Sequence, residues 1–119
     1  MAGADMANLT SILLWTIGFL WAFWGMYVLV MGIYRAHISK RLGPVTFCLS
    51  LPFVAVGLIM DAFANMTIAA LIFCEFPREL LVTARLQRYV GQGAGWRFTI
   101  ANWVCNNLLD VFDPSGNHC

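Results

Sequence analysis

Charged residues are scarce in this 119-residue sequence: they make up 11% of the chain, whereas hydrophobic residues make up 61%. A typical soluble domain has about a quarter charged residues and about half apolar ones. The seven basic residues nearly balance the six acidic ones, so the chain lacks the basic excess that attracts nucleic acids. The composition predicts a membrane protein and argues against nucleic-acid binding.

Residues that carry catalysis or bind metals are also few. The two histidines, His37 and His118, lie in different parts of the chain, and no serine, histidine and acid form the pattern of a nucleophilic site. The four cysteines lack the paired spacing of a zinc site. The segment GQGAG, 91–95, follows a predicted helix rather than a strand, so it does not fit a phosphate-binding loop. The sequence predicts no enzyme, no catalytic residue, no cofactor, no metal and no small-molecule substrate.

The first long segment without charge runs from Ile12 to Tyr34, and its only ionisable groups are tyrosine hydroxyls. A helix of this length rises about 34 Å, enough to cross a hydrocarbon core of about 30 Å. The first ten residues contain no Lys or Arg, and no small-residue cleavage site precedes Arg35, which disfavours a signal peptide. We expect an N-terminal tail, 1–10, and a transmembrane helix, 11–35.

The second apolar stretch, 45–76, is too long for one straight membrane span. Pro52 divides it, because proline inside a helix removes a backbone hydrogen bond and clashes with the preceding turn. We predict a basic loop and juxtamembrane segment over 36–52 and a second transmembrane helix over 53–75. A re-entrant hairpin within 45–76 is the alternative, and its non-helical backbone would need protein or water around it.

The distribution of basic residues gives an orientation for the first span. Arg35, Lys40 and Arg41 follow it closely and none precedes it, so we expect the loop in the cytoplasm and both termini outside. The second span is flanked by basic residues on both sides and gives no orientation. The residues that follow it are Arg78, Arg85 and Arg88.

The C-terminal tail, 76–119, has an amphipathic pattern of its own. Pro77 suits the first turn of a helix, predicted over 78–90, in which Arg85 and Arg88 lie away from the apolar face. Glycines then precede a second helix, predicted over 96–109, that is apolar on most sides and carries Trp96 and Trp103. We expect both helices to lie at the membrane interface or against the two spans.

Small residues recur along one face of the first span, and Gly57 lies on a polar face of the second. They let helix backbones approach closely in lipid, where the hydrophobic effect no longer drives association. Two interpretations follow: packing of the two spans of one chain against each other, or self-association into an oligomer. The residues of this stripe in the first span are Gly18, Ala22, Gly25 and Gly32.

Asp61 and Asn65 stand four positions apart inside the second span. An ionised Asp at membrane depth costs about 2.5–3.5 kcal/mol on insertion scales, so this pair has to face protein or water. One hypothesis is a polar clasp, with bonds between the two or to Thr16, Ser11 or a tryptophan N–H of a neighbouring helix. The other is a water-lined or proton-conducting path in an oligomer.

The four cysteines fall into two sets. Cys48 and Cys74 lie in or beside the second span and are expected to fill apolar space. Cys105 and Cys119 lie in the tail. We expect them to form a disulfide if the tail faces an oxidising compartment, and to be free thiols if it faces the cytoplasm.

The tail resembles a known group of proteins in four segments. These segments are FPRELLVTARLQRYV, GWR, NWVCNNLLD and FDPSGNHC. In these segments the chain resembles small membrane proteins encoded by tailed bacteriophages and prophages of proteobacteria. The resemblance covers 76–119 and, more loosely, the two spans with their basic loop. It implies the inner membrane of a bacterium and provides no catalytic or binding residues.

The fold expected from these observations is an all-α membrane protein, a transmembrane helical hairpin followed by short amphipathic helices. With the resemblance, it suggests a non-enzymatic host-membrane modulator, for example one that excludes a second phage. A holin-like pore-forming lysis protein and a virion-associated component that acts in assembly or DNA entry are the alternatives. The expected partners are the lipid bilayer and either further copies of the chain or another membrane protein.

Overall fold

The computed structural model describes residues 2–119, and within them it contains helices and turns but no strand. The predicted all-α fold is confirmed. We number five α-helices, the last of which continues into a π-helical segment. Their bounds are α1 Ala2–Ile38, α2 Pro44–Met66, α3 Ile68–Phe73, α4 Val82–Gln92 and α5 Trp96–Val104, with the π segment at Cys105–Leu109.

The first helix is longer than the predicted span. It begins at Ala2 instead of residue 11, and Met1 alone lies outside the described residues. Asp5 in its first turn and Arg35 in its last turn both complement the helix dipole, which favours this extension. No residue of α1 is fully buried: the face toward α2, which includes Phe19, Met26 and Val30, is half-buried, and apolar side chains elsewhere on the helix are exposed.

The second helix begins at Pro44, because proline suits the first turn, where its missing N–H has no helical partner. Pro52 lies inside α2 and does not end it, so the predicted start at residue 53 is nine residues late. The helix is interrupted only at Thr67, after which α3 continues to Phe73. No re-entrant turn divides the stretch. α1 and the helical stretch 44–73 are both long and apolar enough to cross a membrane.

The two long helices form an antiparallel hairpin. Phe19 packs edge-on against Phe63, with ring centroids 5.6 Å apart. Near the loop, His37 lies 5.6 Å from Phe47. Between these levels Gly57 lies so close to α1 that a Cβ there would be 3.0 Å from the nearest carbon of Val30. Gly57 is therefore the small residue that allows the two helices to approach.

The small-residue stripe of α1 takes no part in this packing. Gly18, Ala22, Gly25 and Gly32 are exposed, and a Cβ at any of the three glycines would meet nothing within 4 Å. The prediction that the stripe packs against the second helix of the same chain is wrong. The face of α1 that approaches α2 carries Met26 and Val30 instead.

The buried core lies where α3, α4 and α5 meet, and not between the long helices. We call α4, α5, the π segment and residues 110–119 the tail module. The helix predicted over 78–90 is observed as α4 at Val82–Gln92. The buried core is formed by side chains of α3, α4, α5 and the π segment. They are Ala69, Phe73, Leu86, Tyr89, Ala101 and Cys105.

Candidate functional site

Asp61 of α2 binds the N-terminus of α4. Its Oδ1 accepts a hydrogen bond from the backbone N–H of Val82 at 2.7 Å. The first N–H groups of a helix have no partner within the helix, and Leu81, at the N-cap position, provides no side-chain bond. The carboxyl group of Asp61 therefore supplies the missing cap from another helix, at the positive end of the α4 dipole.

Asn65, one turn further along α2, is completely buried and bonds to the tail as well. Its Oδ1 accepts a hydrogen bond from Arg85 Nε at 2.7 Å, and its Nδ2 donates to the carbonyl oxygen of Glu79. Thr16, one of the expected partners, bonds to its own helix instead. The clasp thus joins α2 to the tail module, and the predicted clasp between the two long helices is wrong.

Arg85 is completely buried at the centre of this contact. Besides Asn65 Oδ1, its guanidinium donates to the backbone oxygens of Asn65 at 3.2 Å and Glu75 at 3.1 Å, and to the Tyr89 hydroxyl at 3.5 Å. Among residues 2–119, no carboxylate oxygen lies within 4 Å of its nitrogens. Arg85 is therefore a buried structural cation held by neutral oxygens, and not the surface-facing residue that the sequence suggested.

The other tail arginines surround two glutamates at the edge of this contact. Glu75 Oε1 lies 2.9 Å from Arg88 Nη1 and 3.3 Å from Arg78 Nε, and Glu75 Oε2 lies 3.7 Å from Arg97 Nε. Arg88 also forms an ion pair with Glu79. These ion pairs fix the segment between α3 and α4, whereas the side chain of Arg78 remains 72% exposed.

These contacts shift the pKa values of both glutamates downward. Burial raises the pKa of Glu75, but the hydrogen bond from Tyr89 and the positive charge of Arg88 outweigh this effect and lower it. The hydrogen bond from Arg88 is the main cause that lowers the pKa of Glu79. The same bond raises the pKa of Arg88. Both carboxylates are therefore stabilised in their charged form.

The C-terminus is fastened to the rest of the module. Cys105 and Cys119 form the expected disulfide, which leaves neither thiol free to bind a metal. His118 Nε2 lies 3.0 Å from Thr83 Oγ1 on α4, and His118 Nδ1 lies 2.8 Å from Asp113 Oδ2. The last residues are thus tied to α4 by hydrogen bonds and to the π segment by a covalent bond.

Two side chains of α1 bind the end of the π segment. Trp24 Nε1 donates to the carbonyl oxygen of Leu108 at 3.0 Å, and the Tyr27 hydroxyl donates to that of Leu109 at 2.6 Å. The carbonyl oxygen of Leu109 also accepts hydrogen bonds from the backbone N–H groups of Phe112 and Asp113, both at 3.2 Å. Trp24 and Tyr27 therefore attach α1 to the turn that ends the π segment. The sequence analysis missed both residues. Their signal was a polar group on an aromatic ring inside an apolar helix.

The remaining predicted residues lie at the periphery. Arg35 Nη2 donates to the carbonyl oxygen of Phe112 at 3.4 Å, while Lys40 and Arg41 are exposed in the loop between α1 and α2. Trp96 is 49% exposed and Trp103 is 59% exposed. The tail module packs against the long helices, as one of the two expected placements has it.

The tail module and the hairpin border a partly open cavity of about 470 Å³, which we call the junction cavity. All five α-helices and the π segment contribute to its wall, which is mostly apolar. Four polar side chains also line it: Tyr27, Asp61, Thr83 and His118.

Comparison of the chain with protein-family models, with curated proteins and with solved structures finds no match. The polar contacts that hold the tail module, together with the junction cavity, are therefore the features from which a function has to be argued.

Proposed function

We propose that the chain is a multi-pass protein of a bacterial inner membrane, crossed by α1 and by the helical stretch 44–73. The support is the length of the two helical segments and their hydropathy. The mean hydropathy over an 18-residue window is 1.8 in the first segment and 2.0 in the second. Large apolar side chains such as Trp15 and Trp21 are exposed on α1 at 79% and 74%. A helix that is apolar on every side is stable in lipid and unfavourable in water.

The loop faces the cytoplasm in this proposal, and both termini lie outside. Two features support this orientation, in which the tail module lies along the hairpin as far as Arg35. Arg35, Lys40 and Arg41 are close to the loop and favour its cytoplasmic location. The disulfide between Cys105 and Cys119 requires an oxidising compartment, as the periplasm of a bacterium is.

Within that membrane we propose that the chain acts without catalysis, as a phage-encoded modulator of the host membrane, for example by excluding a second phage. The observation that carries this proposal is the use of Asp61 and Asn65. Both hold the tail module on the hairpin. Polar groups used in this way hold the tail module as a rigid surface that a host protein can bind, and they engage Asp61 Oδ1 and Asn65 in structural contacts instead of an ion path.

The second candidate is a holin-like protein that forms pores by self-association. The observation that favours it is the open stripe of small residues on α1. Gly18, Gly25 and Gly32 have free space around them, and such a stripe is a common contact between membrane helices. This candidate predicts lysis, whereas a modulator leaves the host cell intact.

Expression of the chain alone in a bacterial host, with growth and phage plating followed together, separates the two candidates. We expect normal growth and reduced plating of infecting phage, and prompt lysis would instead favour the holin. Asp61→Leu should reduce the plating effect because it weakens the attachment of the tail module to α2. The matched control is Val56→Leu, since Val56 lies on an exposed face of the same helix. Alkaline extraction of the membranes tests the membrane placement separately.

A further inference from the structure

The junction cavity has the size and the wall of a ligand site. Its volume of about 470 Å³ falls within the range of about 300–1,000 Å³ that small-molecule sites occupy. Leu20 of α1, Leu58 of α2, Leu86 of α4 and Ile100 of α5 lie in its wall. The cavity is thus bounded by apolar side chains from both long helices and from the tail module.

The polar groups in the wall differ in what they can still bind. The Tyr27 hydroxyl already donates to a backbone oxygen, and both ring nitrogens of His118 already have partners. Asp61 uses Oδ1 for the N–H of Val82, and within residues 2–119 its Oδ2 has no hydrogen-bond partner. Thr83 Oγ1 already pairs with His118 Nε2, so Asp61 Oδ2 is the oxygen among these four side chains that has no hydrogen-bond partner.

We propose that the junction cavity binds one neutral single-chain amphiphile of the long-chain alcohol class. Its hydroxyl hydrogen-bonds to Asp61 Oδ2, and its hydrocarbon chain lies against the apolar wall. This inference rests on the membrane placement proposed above, because an amphiphile with a long hydrocarbon chain partitions into the lipid phase beside the cavity. It does not depend on which of the two candidate functions is correct.

The chemistry of Asp61 selects the head group. A hydroxyl both donates and accepts hydrogen bonds, so it pairs with the carboxyl group of Asp61 in either protonation state. A fatty-acid carboxylate only accepts, and two carboxylates at one site repel each other. The site should therefore prefer an alcohol to a fatty acid of the same chain length.

Trp24 offers a direct probe, because it lies in the cavity wall and bromine quenches indole fluorescence on contact. The protein for the test keeps Trp24 and has phenylalanine at the four other tryptophans, Trp15, Trp21, Trp96 and Trp103. The probes are dibrominated octadecanol and dibrominated octadecanoate, added to the protein in detergent micelles at a pH where the acid is ionised. We expect saturable quenching by the alcohol at a concentration roughly tenfold below that for the acid.

Three variants connect the quenching to the cavity. Val54→Phe adds volume at a wall residue and should abolish saturable quenching, whereas Val56→Phe, at an exposed position of the same helix, should leave it unchanged. Asp61→Asn keeps an acceptor for the Val82 N–H but removes the carboxyl group. It should therefore reduce the difference in affinity between the alcohol and the acid. Equal affinity for the two probes, or saturable quenching that survives Val54→Phe, would overturn the proposal.

A second measurement covers the case in which the four phenylalanine substitutions impair folding. Native mass spectrometry of the unaltered chain with plain octadecanol should show one bound molecule, and Val54→Phe should lose it. Absence of the bound alcohol from the unaltered chain would refute the site. Alkaline extraction reports on the membrane placement alone, so a failure of that proposal is distinguishable from a failure of this one.

Discussion

Asp61, deep in the second long helix, caps Val82 at the start of α4, with 2.7 Å between its Oδ1 and the backbone nitrogen. The acid that seems out of place in an apolar segment is thus the partner of a helix N-terminus 21 residues further along the chain. Together with Asn65, one turn further along α2, Asp61 attaches the amphipathic tail to the hairpin.

Replacing Asp61 separates the capping role from the charge. Asp61→Leu leaves the Val82 N–H without its acceptor, and we expect it to weaken the attachment of the tail module by about 0.5–2 kcal/mol. Asp61→Asn retains an acceptor and should lose much less. Thermal unfolding in detergent and protease cleavage between α3 and α4 measure the effect. Equal losses in both variants would show that the charge, and not the cap, matters.

Arg85 should tolerate almost no substitution. Arg85→Lys keeps the positive charge but cannot reproduce the guanidinium contacts with Asn65 and Glu75. We expect a loss of about 1–3 kcal/mol in unfolding free energy, because buried oxygens are left without donors. Arg78→Lys is the matched control, since Arg78 is largely exposed, and it should stay within about 0.5 kcal/mol. Similar stabilities of the two variants would contradict the buried network.

The disulfide predicts a specific labelling pattern. Cys48 and Cys74 are free, so a maleimide added to the protein unfolded in denaturant should label these two before reduction and all four after it. Replacing both Cys105 and Cys119 with serine should destabilise the tail module by about 3 kcal/mol, the loop-entropy value for a closed loop of this size. Labelling of all four cysteines in unreduced, periplasm-facing protein would contradict both the bond and the orientation.

The ion pairs of the glutamates predict a dependence of stability on pH. The hydrogen bond from Arg88 depresses the pKa of Glu79 in the folded protein. The contribution of Glu79 to stability is therefore present above its pKa in the unfolded chain, near the ordinary glutamate value of 4.5. That contribution is lost as the pH falls through the lower, folded pKa. Thermal unfolding from roughly pH 6 to pH 3 should show this decline.

Glu79→Gln should flatten the acid limb of that pH profile, because the substituted side chain no longer takes up a proton on unfolding. Asp5→Asn serves as the control, since Asp5 is exposed in the first turn of α1, far along the chain from these ion pairs. If wild type and Glu79→Gln lose stability equally as the pH falls, Glu79 does not cause the pH dependence.

Substitution in the exposed small-residue stripe of α1 should have different effects on a monomer and on an oligomer. A Cβ at Gly25 would meet no atom of its own chain within 4 Å, so we expect Gly25→Leu to leave a monomer about as stable to heat as Val28→Leu does. If copies associate through the stripe, Gly25→Leu should abolish cross-linking between them while Val28→Leu preserves it. Cross-linking in membranes, compared between the two variants, gives the result.

The sequence by itself determined the helical class and the two apolar helices, because these follow from local composition. Long runs without charge admit only backbone structures that satisfy their own hydrogen bonds. The pairing of Cys105 with Cys119 was also open to prediction, as one of two outcomes set by the compartment. Pro52 misled the prediction of the helix start, because a proline within a long helix can be tolerated when the surrounding contacts hold the helix together.

Only the tertiary structure decided what the polar residues do. Arg85 has the periodicity and charge of a surface residue. It is buried because the Asn65 side chain and the backbone carbonyl of Glu75 both accept hydrogen bonds from its guanidinium. The small residues of α1 were predicted to face α2, but the hairpin rotates them outward and uses Gly57 instead. Hydrogen bonds across 20 residues of sequence, and the rotation of one helix against another, depend on positions in space that local patterns do not encode.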